Sequence, residues 1–195
     1  TSWQVVETLK ANPDLTGDIA DIPPEGSLAP AGYDFQRGDD RNALLGRMQA
    51  EQQAILAAAW AGRSPDLPLR TPEDLLTLAS IVEKETGIPE ERPQVAAVFV
   101  NRLERGMRLQ TDPTVIYGVT GGREVLGRGL RASELAARTP YNTYVITGLP
   151  PTPIANPGKD AIAAAANPPR TDDLYFVADG SGGHAGAGES DRRLD

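Results

Sequence analysis

One segment organises this chain: residues 71–87, which read TPEDLLTLASIVEKETG. Thr71 can cap a helix, the proline after it suits the first helical position, and Gly87 suits the position after the last turn. Plotted at about 100° per residue, the apolar residues of this segment fall on one stripe. The segment therefore predicts a helix that packs on a core and carries two acids, Glu83 and Glu85, in its last turn.

The two acids differ in what lies one helical turn before them. Glu85 follows Ile81 and Val82, whereas Glu83 follows an alanine and a serine. Burial disfavours a carboxylate, and so does the negative end of the helix dipole, so we expect Glu85 to be the acid that is more easily protonated. A protonated glutamate can act as a general acid. The alternative is that both acids are surface carboxylates, paired with the lysine between them or with a nearby arginine.

A polar segment follows further along the chain, at residues 107–114, which read MRLQTDPT. Its proline limits the backbone, and Gln110, Thr111 and Asp112 offer hydrogen-bonding groups of the kind that bind sugar hydroxyls and amides. We expect a turn that leads into a strand and contributes these three side chains to a ligand site. The alternative for Asp112 is that it only starts the turn.

The composition excludes several classes of function. A length of 195 residues with 39% hydrophobic content is enough for one core. The net charge of −8 argues against nucleic acid as a partner. The chain has one histidine, His184, and no cysteine, so we expect no metal site and no cofactor. A serine triad is not expected either, because no serine lies in a Gly-x-Ser-x-Gly elbow.

The remaining pattern predicts an α+β fold, with the Glu85 helix and supporting helices packed on a small, mainly antiparallel sheet. Further helices are expected over residues 3–9, 42–61, 90–103 and 160–166, and strands over residues 114–117, 143–146 and 174–177. Residues 12–38 are rich in proline, glycine and aspartate and are expected to form an irregular connector.

Several ordered motifs run along most of the chain. They are LASIVEKET at 78–86, NRL at 101–103, GMRLQTDPTVIYG at 106–118, YNTY at 141–144, GLPP at 148–151, PIANPG at 153–158, LYFVADG at 174–180 and GH at 183–184. In this order they resemble the YceG-like family, from about residue 25 onward. The family usually continues after the histidine with an aromatic residue and a closing Glu-His-Asn, and residues 185–195 depart from that pattern.

The resemblance implies cleavage, without water, of the β-1,4 bond between N-acetylmuramic acid and N-acetylglucosamine inside a peptidoglycan strand, leaving a 1,6-anhydro-muramyl end. The family's catalytic acid is the second glutamate of the Glu-Lys-Glu-Thr stretch, which is Glu85 here. Aromatic rings can stack on sugars, and amides and hydroxyls can bind their substituents. The candidate substrate-binding residues are Gln110, Thr111, Asp112, Tyr117, Tyr141, Asn142, Tyr144 and His184.

Two other functions remain open. A muramidase that hydrolyses the same bond usually needs a second carboxyl group, for which Asp112 and Glu83 are the candidates. A glycan-binding or scaffolding module without chemistry would need neither glutamate.

The resemblance also bears on organisation and location. We expect residues 1–66 to form an amino-terminal helical and connector part, and residues 67–195 to form the catalytic core. The family normally has a membrane anchor, and this chain has no long apolar stretch. We therefore expect the chain to be the periplasmic part of a longer inner-membrane protein, with the anchor and a small upstream module outside it. Peptidoglycan strands and cell-wall synthases are the partners that the resemblance implies.

Overall fold

The computed structural model of the chain describes residues 1–178 and 184–187, and for residues 177, 178 and 184–187 it describes the backbone. Seven α-helices and two short strands lie within these ranges. The helices are α1 (Ser2–Ala11), α2 (Arg41–Ala61), α3 (Pro72–Glu85), α4 (Arg92–Glu104), α5 (Asp112–Thr120), α6 (Ala132–Ala136) and α7 (Lys159–Ala166), and the strands are β1 (Tyr175–Ala178) and β2 (His184–Ala187). A 3-10 turn, Pro89–Glu91, leads into α4.

The helix predicted around Glu85 is confirmed as α3. Thr71 caps it through a capping box, in which its hydroxyl accepts a hydrogen bond from the backbone N–H of Asp74 and the Asp74 carboxylate accepts one from the backbone N–H of Thr71. The helices predicted near the positions of α1, α2, α4 and α7 are also confirmed. The capping box therefore fixes the residue at which α3 begins.

The predicted sheet is largely wrong. The run at residues 114–117 lies in α5, because Pro113 suits a first helical turn and Gly121, at φ 61°, ends the helix in the left-handed conformation. The run at 143–146 forms turns, and only the third run forms a strand, β1, which pairs with β2 in an antiparallel hairpin. The α+β prediction with helices packed on a sheet is therefore not confirmed. The described residues form a helical fold that carries one two-stranded hairpin.

The main core surrounds α3, which packs against α7, α4, α2 and α5. Leu75, Leu78 and Ile81 of α3 are fully buried, as are Phe99 of α4 and Ile162 of α7. Each buried leucine or isoleucine side chain contributes roughly 1.5–3 kcal/mol. Because helices enclose α3 on several sides, its last turn is held by the core rather than by a flexible loop.

A second, smaller core lies between α1, the connector and the start of α2; its buried residues are Val6, Leu9, Leu15, Ile19, Leu28, Leu44 and Leu45. Buried amides join it to the main core. The Gln52 amide donates to the carbonyl oxygens of Gly26 and Pro157, at 3.0 Å each, and the backbone N–H of Leu28 donates to the Asn156 side chain at 3.0 Å. The division of the chain at residue 66 stays a prediction.

In the part of the chain that the structure describes, no helix combines the length and the apolar content that crossing a membrane requires.

Candidate active site

Glu85 is the last residue of α3, and its side chain is partly exposed. The chain turns away directly after it, because Thr86 adopts an extended conformation. The buried Thr86 hydroxyl accepts a hydrogen bond from the backbone N–H of Ile88 at 3.0 Å and donates to Glu91 at 2.8 Å. These contacts fix the end of α3, so Glu85 projects from a rigid point.

Thr111 contacts the predicted acid directly. Its hydroxyl donates a hydrogen bond to Oε2 of Glu85 at 2.5 Å, across 26 positions of sequence. The Thr111 residue is only 3% exposed. Its predicted contact with substrate is therefore corrected, because its one polar side-chain group already faces Glu85 and little of the residue is open to a ligand.

Thr111 belongs to a buried group that we call the threonine cluster, made of Thr111, Thr114 and Thr143. The backbone N–H of Thr111 donates to the Thr143 hydroxyl at 3.0 Å, and the Thr114 hydroxyl donates to the Thr111 carbonyl oxygen at 2.8 Å. The hydroxyls of Thr114 and Thr143 are themselves 2.8 Å apart. The cluster holds the backbone of Thr111 on both sides.

Gln110 adopts a strained backbone conformation beside this cluster. Its φ of 52° lies in the left-handed region, which residues with a Cβ atom rarely occupy. The peptide group that joins Leu109 to Gln110 is held by both of its polar atoms: the Gln110 N–H donates to the Thr143 carbonyl oxygen at 3.1 Å, and buried Arg102 donates to the Leu109 carbonyl oxygen at 2.5 Å. The Gln110 side chain is exposed, as its predicted contact with substrate requires.

Tyr144 and Asp112 form a second polar group next to Glu85. The Tyr144 hydroxyl donates to Asp112 Oδ1 at 2.6 Å. Burial raises the pKa of the Tyr144 phenol, and the hydrogen bond to Asp112 and the charges of Asp112 and Glu85 raise it further. Tyr144 therefore stays a neutral hydrogen-bond donor, and its electrostatic coupling to Glu85 puts the predicted residues Tyr144 and Asp112 in one neighbourhood with that acid.

Glu83 has a different environment on the same helix. Its Oε2 accepts a hydrogen bond from the backbone N–H of Gly158, the residue that precedes α7, at 3.0 Å. Its Oε1 lies 3.4 Å from Nη2 of Arg92. The predicted alternative of a carboxylate paired with an arginine is therefore correct for Glu83, whose charge is satisfied inside the protein.

Tyr117 and Tyr141 pack on each other at a ring-centroid distance of 5.1 Å. The Tyr117 hydroxyl donates to Glu25 at 3.2 Å, and the Tyr141 hydroxyl lies 2.7 Å from that of Thr152. Burial raises the pKa of Tyr117, and Glu25 adds to the shift. Both rings are partly exposed, so their predicted contact with substrate stays a prediction, although each hydroxyl already has a protein partner.

Asn142 has no exposed surface. Its side-chain amide donates to the carbonyl oxygens of Leu135 and Ala137, at 3.0 and 2.8 Å, and its side-chain oxygen accepts from the backbone N–H of Tyr144 at 3.0 Å. The predicted role in direct binding is therefore corrected. Asn142 holds the loop that presents Tyr144, because its polar atoms are used inside the fold.

His184 lies at the start of β2, where its side chain falls outside the described part of the structure. Its predicted role in substrate binding stays a prediction. The divergent tail from residue 188 onward also lies outside the described residues.

Arg102 holds the loop before Thr111, a role that the sequence analysis did not predict. It donates to the carbonyl oxygens of Leu109 and Leu174 and is only 6% exposed. A signal for it exists, because Val95, Val98, Phe99 and Arg102 follow helical spacing on the apolar face of α4. An arginine on such a face is expected to be buried and hydrogen-bonded.

Two surface hollows adjoin these residues. One, of about 370 Å³, is lined by Lys84, the neighbour of Glu85, and by Pro113, the neighbour of Asp112, among others. Another, of about 680 Å³, is lined by Arg108 and by Val145, the neighbour of Tyr144. Both hollows are lined by sequence neighbours of the site residues, and Glu85 itself lines neither of them.

Comparisons with known proteins agree on one family. The model of the YceG-like family matches residues 1–190. The chain is 36% identical over 160 residues to an endolytic murein transglycosylase of Bacillus subtilis (strain 168), covering 82% of this chain and 43% of the relative. It is 37% identical over 161 residues to one of Streptococcus pneumoniae serotype 2 (strain D39), covering 80% of this chain and 28% of the relative. The chain thus spans less than half the length of these relatives.

A solved structure is similar over the whole chain. The crystal structure of a yceG-like protein from Listeria monocytogenes matches with a TM-score of 0.71 and 30% sequence identity, covering 100% of this chain and 62% of the other.

Proposed function

The chain belongs to the YceG-like family, and we propose that it is the catalytic part of an endolytic murein transglycosylase with Glu85 as its single acid and base. The observation that carries this proposal is the contrast within α3. Both carboxylates are partly exposed, but Glu83 is held by an arginine and a backbone N–H, whereas Glu85 accepts a hydrogen bond from a neutral hydroxyl. Of the two acids, Glu85 is the one whose hydrogen bond comes from an uncharged side chain.

The reaction needs one carboxyl group. Protonated Glu85 donates its proton to the glycosidic oxygen as the bond from that oxygen to C1 of N-acetylmuramic acid breaks. The C6 hydroxyl of the same sugar then forms a bond to C1, and its proton passes to the Glu85 carboxylate. The products are a strand ending in 1,6-anhydro-N-acetylmuramic acid and a strand with a free hydroxyl on N-acetylglucosamine. Glu85 is protonated again, so the cycle is balanced without water.

Three exposed or partly exposed residues around Glu85 are proposed to bind the sugars. Gln110 can hydrogen-bond an N-acetyl group through its amide, and Tyr144 can stack on a pyranose ring. Asp112 fixes the Tyr144 hydroxyl and has a second oxygen that can accept from a sugar hydroxyl. These roles follow from exposure and proximity to Glu85.

Cleavage inside a strand needs an open site, because sugars continue on both sides of the bond. The partial exposure of Glu85 at the end of α3 supports this mode of binding. Peptidoglycan strands are therefore the proposed substrate.

The substrate also determines the proposed location. An enzyme that cuts peptidoglycan acts outside the cytoplasm, so we propose that this chain works on the periplasmic face of the inner membrane. The membrane anchor and the cell-wall synthases as partners are proposed on the family resemblance.

A muramidase is the second candidate, and one observation favours it. Asp112 is exposed and lies in the same neighbourhood as Glu85, so it could activate a water molecule. Against this role, one of its oxygens already accepts the Tyr144 hydroxyl.

Digestion of purified peptidoglycan in ¹⁸O-labelled water, followed by mass spectrometry, separates these functions. We expect 1,6-anhydro-muramyl ends without ¹⁸O. Reducing muramyl ends that carry one ¹⁸O would show a muramidase. Saccharide binding without any cleaved product would show a binding module.

A further inference from the structure

We infer that Thr111 is a positioning residue, whose hydroxyl holds Oε2 of Glu85 so that Oε1 is the oxygen that gives and takes the proton. This inference rests on the proposed function. It assigns Thr111 a role through Glu85, distinct from the contact with sugar that the sequence predicts for it.

The Thr111 hydroxyl is buried and lies against one oxygen of Glu85. The residue is 3% exposed, and its side-chain oxygen lies 2.5 Å from Glu85 Oε2. Its backbone is held by Thr143 at one end and by Thr114 at the other. The hydroxyl therefore points at one oxygen of Glu85 from a fixed position.

A free glutamate has two equivalent oxygens, and either can carry the proton. A donor fixed on Oε2 makes them different, because that oxygen already accepts a hydrogen bond. Oε2 can accept this bond when Glu85 is protonated on Oε1 and also when it is ionised. The same contact can therefore persist while Oε1 donates its proton to the glycosidic oxygen and later receives the C6 hydroxyl proton. The side chain does not need to rotate between the two steps.

The backbone of the loop is strained directly before Thr111. Gln110, the residue before Thr111, is in the left-handed region at φ 52°, a conformation that persists only where neighbours enforce it. Buried Arg102 and the Thr143 carbonyl oxygen both hold the peptide group that joins Leu109 to Gln110. Strain accepted at this position places the Thr111 hydroxyl against Glu85.

The neutral character of the partner matters for chemistry. A cation in this place would stabilise a carboxylate and make a poor acid, whereas the Thr111 hydroxyl is uncharged. Three charged groups act on the neighbouring Tyr144 phenol: Asp112 at the start of α5 and Glu85 itself raise its pKa, and Arg102 of α4 lowers it. Thr111 orients the carboxyl group without adding a charge to this set.

The test replaces Thr111 by valine, which keeps the branched shape and removes the hydroxyl, and by serine, which keeps the hydroxyl. Turnover is followed on uncrosslinked glycan strands by counting anhydro-muramyl ends. We expect Thr111→Val to lower kcat by between about 10-fold and about 100-fold, with KM changed less than threefold. Thr111→Ser should keep most of the activity. Loss of kcat in the valine variant and its recovery in the serine variant would together assign the effect to the hydroxyl.

Thr77→Val is the matched control, since Thr77 is a buried threonine of the same helix as Glu85 and its hydroxyl donates to the Glu73 carbonyl oxygen at 2.9 Å, a bond that does not involve Glu85. A Thr77→Val variant that keeps its kcat supports the inference. Equal losses of kcat in both variants would overturn it, and so would a Thr111→Val variant in which KM rises while kcat is unchanged. The proposed function is tested separately, because it fails if the unmutated protein yields no anhydro-muramyl ends.

Discussion

Two carboxylate sites on α3 differ in what surrounds them, although Glu83 and Glu85 are two residues apart. Glu83 lies against the start of α7, where Arg92 and the N–H of Gly158 satisfy its charge. Glu85 lies at the open end of the helix with the Thr111 hydroxyl as its partner. The difference shows that two acids on one helix can have opposite kinds of partner: a cation and a helix end hold Glu83, and an uncharged hydroxyl holds Glu85, the proposed catalytic acid.

The two sites also connect α3 to different parts of the fold. The Glu83 site joins α3 to α4 and α7, which form the main core with it. At the Glu85 site, a hydrogen bond from Thr111 joins α3 to the start of α5, and the bond from Tyr144 to Asp112 joins α5 to the loop after α6. Changes at the first site should therefore affect stability, and changes at the second should affect activity.

The largest expected effect is on activity, at Glu85. Glu85→Gln keeps the shape and can still accept the Thr111 hydrogen bond, but it cannot deliver a proton. Turnover should fall at least about 1,000-fold, with Tm changed by no more than about 3 °C. Calorimetry and a turnover assay on glycan strands measure the two quantities. Retained turnover in this variant would remove Glu85 from the mechanism.

The next effect is on stability, at Arg92. Arg92→Ala leaves the half-buried Glu83 carboxylate without its cation, which should lower the free energy of unfolding by about 2–4 kcal/mol. Turnover per folded molecule should remain close to that of the unmutated protein. Chemical denaturation measures the change.

Glu83→Gln combined with Arg92→Ala is the control for that prediction. The double variant should recover part of the lost stability, because no charge is left uncompensated. A double variant that is less stable than the sum of both single changes contradicts the assignment of Glu83 as a charge held by Arg92.

The sequence predicts the position of Glu85 on its helix, but it does not predict the residue that contacts the Glu85 carboxyl group. The cap at Thr71 and the apolar stripe of α3 can be predicted because both depend on residues close in sequence. The residues one turn before each acid likewise indicate Glu85, rather than Glu83, as the candidate catalytic acid. The partner of Glu85 was not readable, since Thr111 lies 26 positions away and the contact depends on how α5 packs. The short β-branched run after Pro113 predicted a strand, but Pro113 and Gly121 are the start and stop signals of a helix, and they decided α5.

Gln110 should show a smaller effect, on substrate binding. Gln110→Gly removes the exposed side chain and suits the positive φ, so KM should rise several-fold while the free energy of unfolding stays equal or rises by about 1 kcal/mol. Gln110→Ala removes the same side chain but retains the strain, and it should match the glycine variant in KM without that gain in stability. An unchanged KM in both variants would show that Gln110 acts only through its backbone.

The smallest expected effect is at Asp112. Asp112→Asn removes a negative charge that raises the pKa of Tyr144, so the Tyr144 phenol should ionise at a lower pH. Absorbance titration measures this shift, with Tyr144→Phe as the reference that isolates the signal. Turnover should fall only a few-fold and the products should remain anhydro ends. Loss of all cleavage would instead make Asp112 a catalytic group.

The most direct measurement sets the two acids against each other: anhydro-muramyl ends are counted by mass spectrometry after equal amounts of Glu83→Gln and Glu85→Gln protein act on the same peptidoglycan. We expect many such ends from the Glu83 variant and none from the Glu85 variant. Ends from the Glu85 variant and none from a folded Glu83 variant would contradict it.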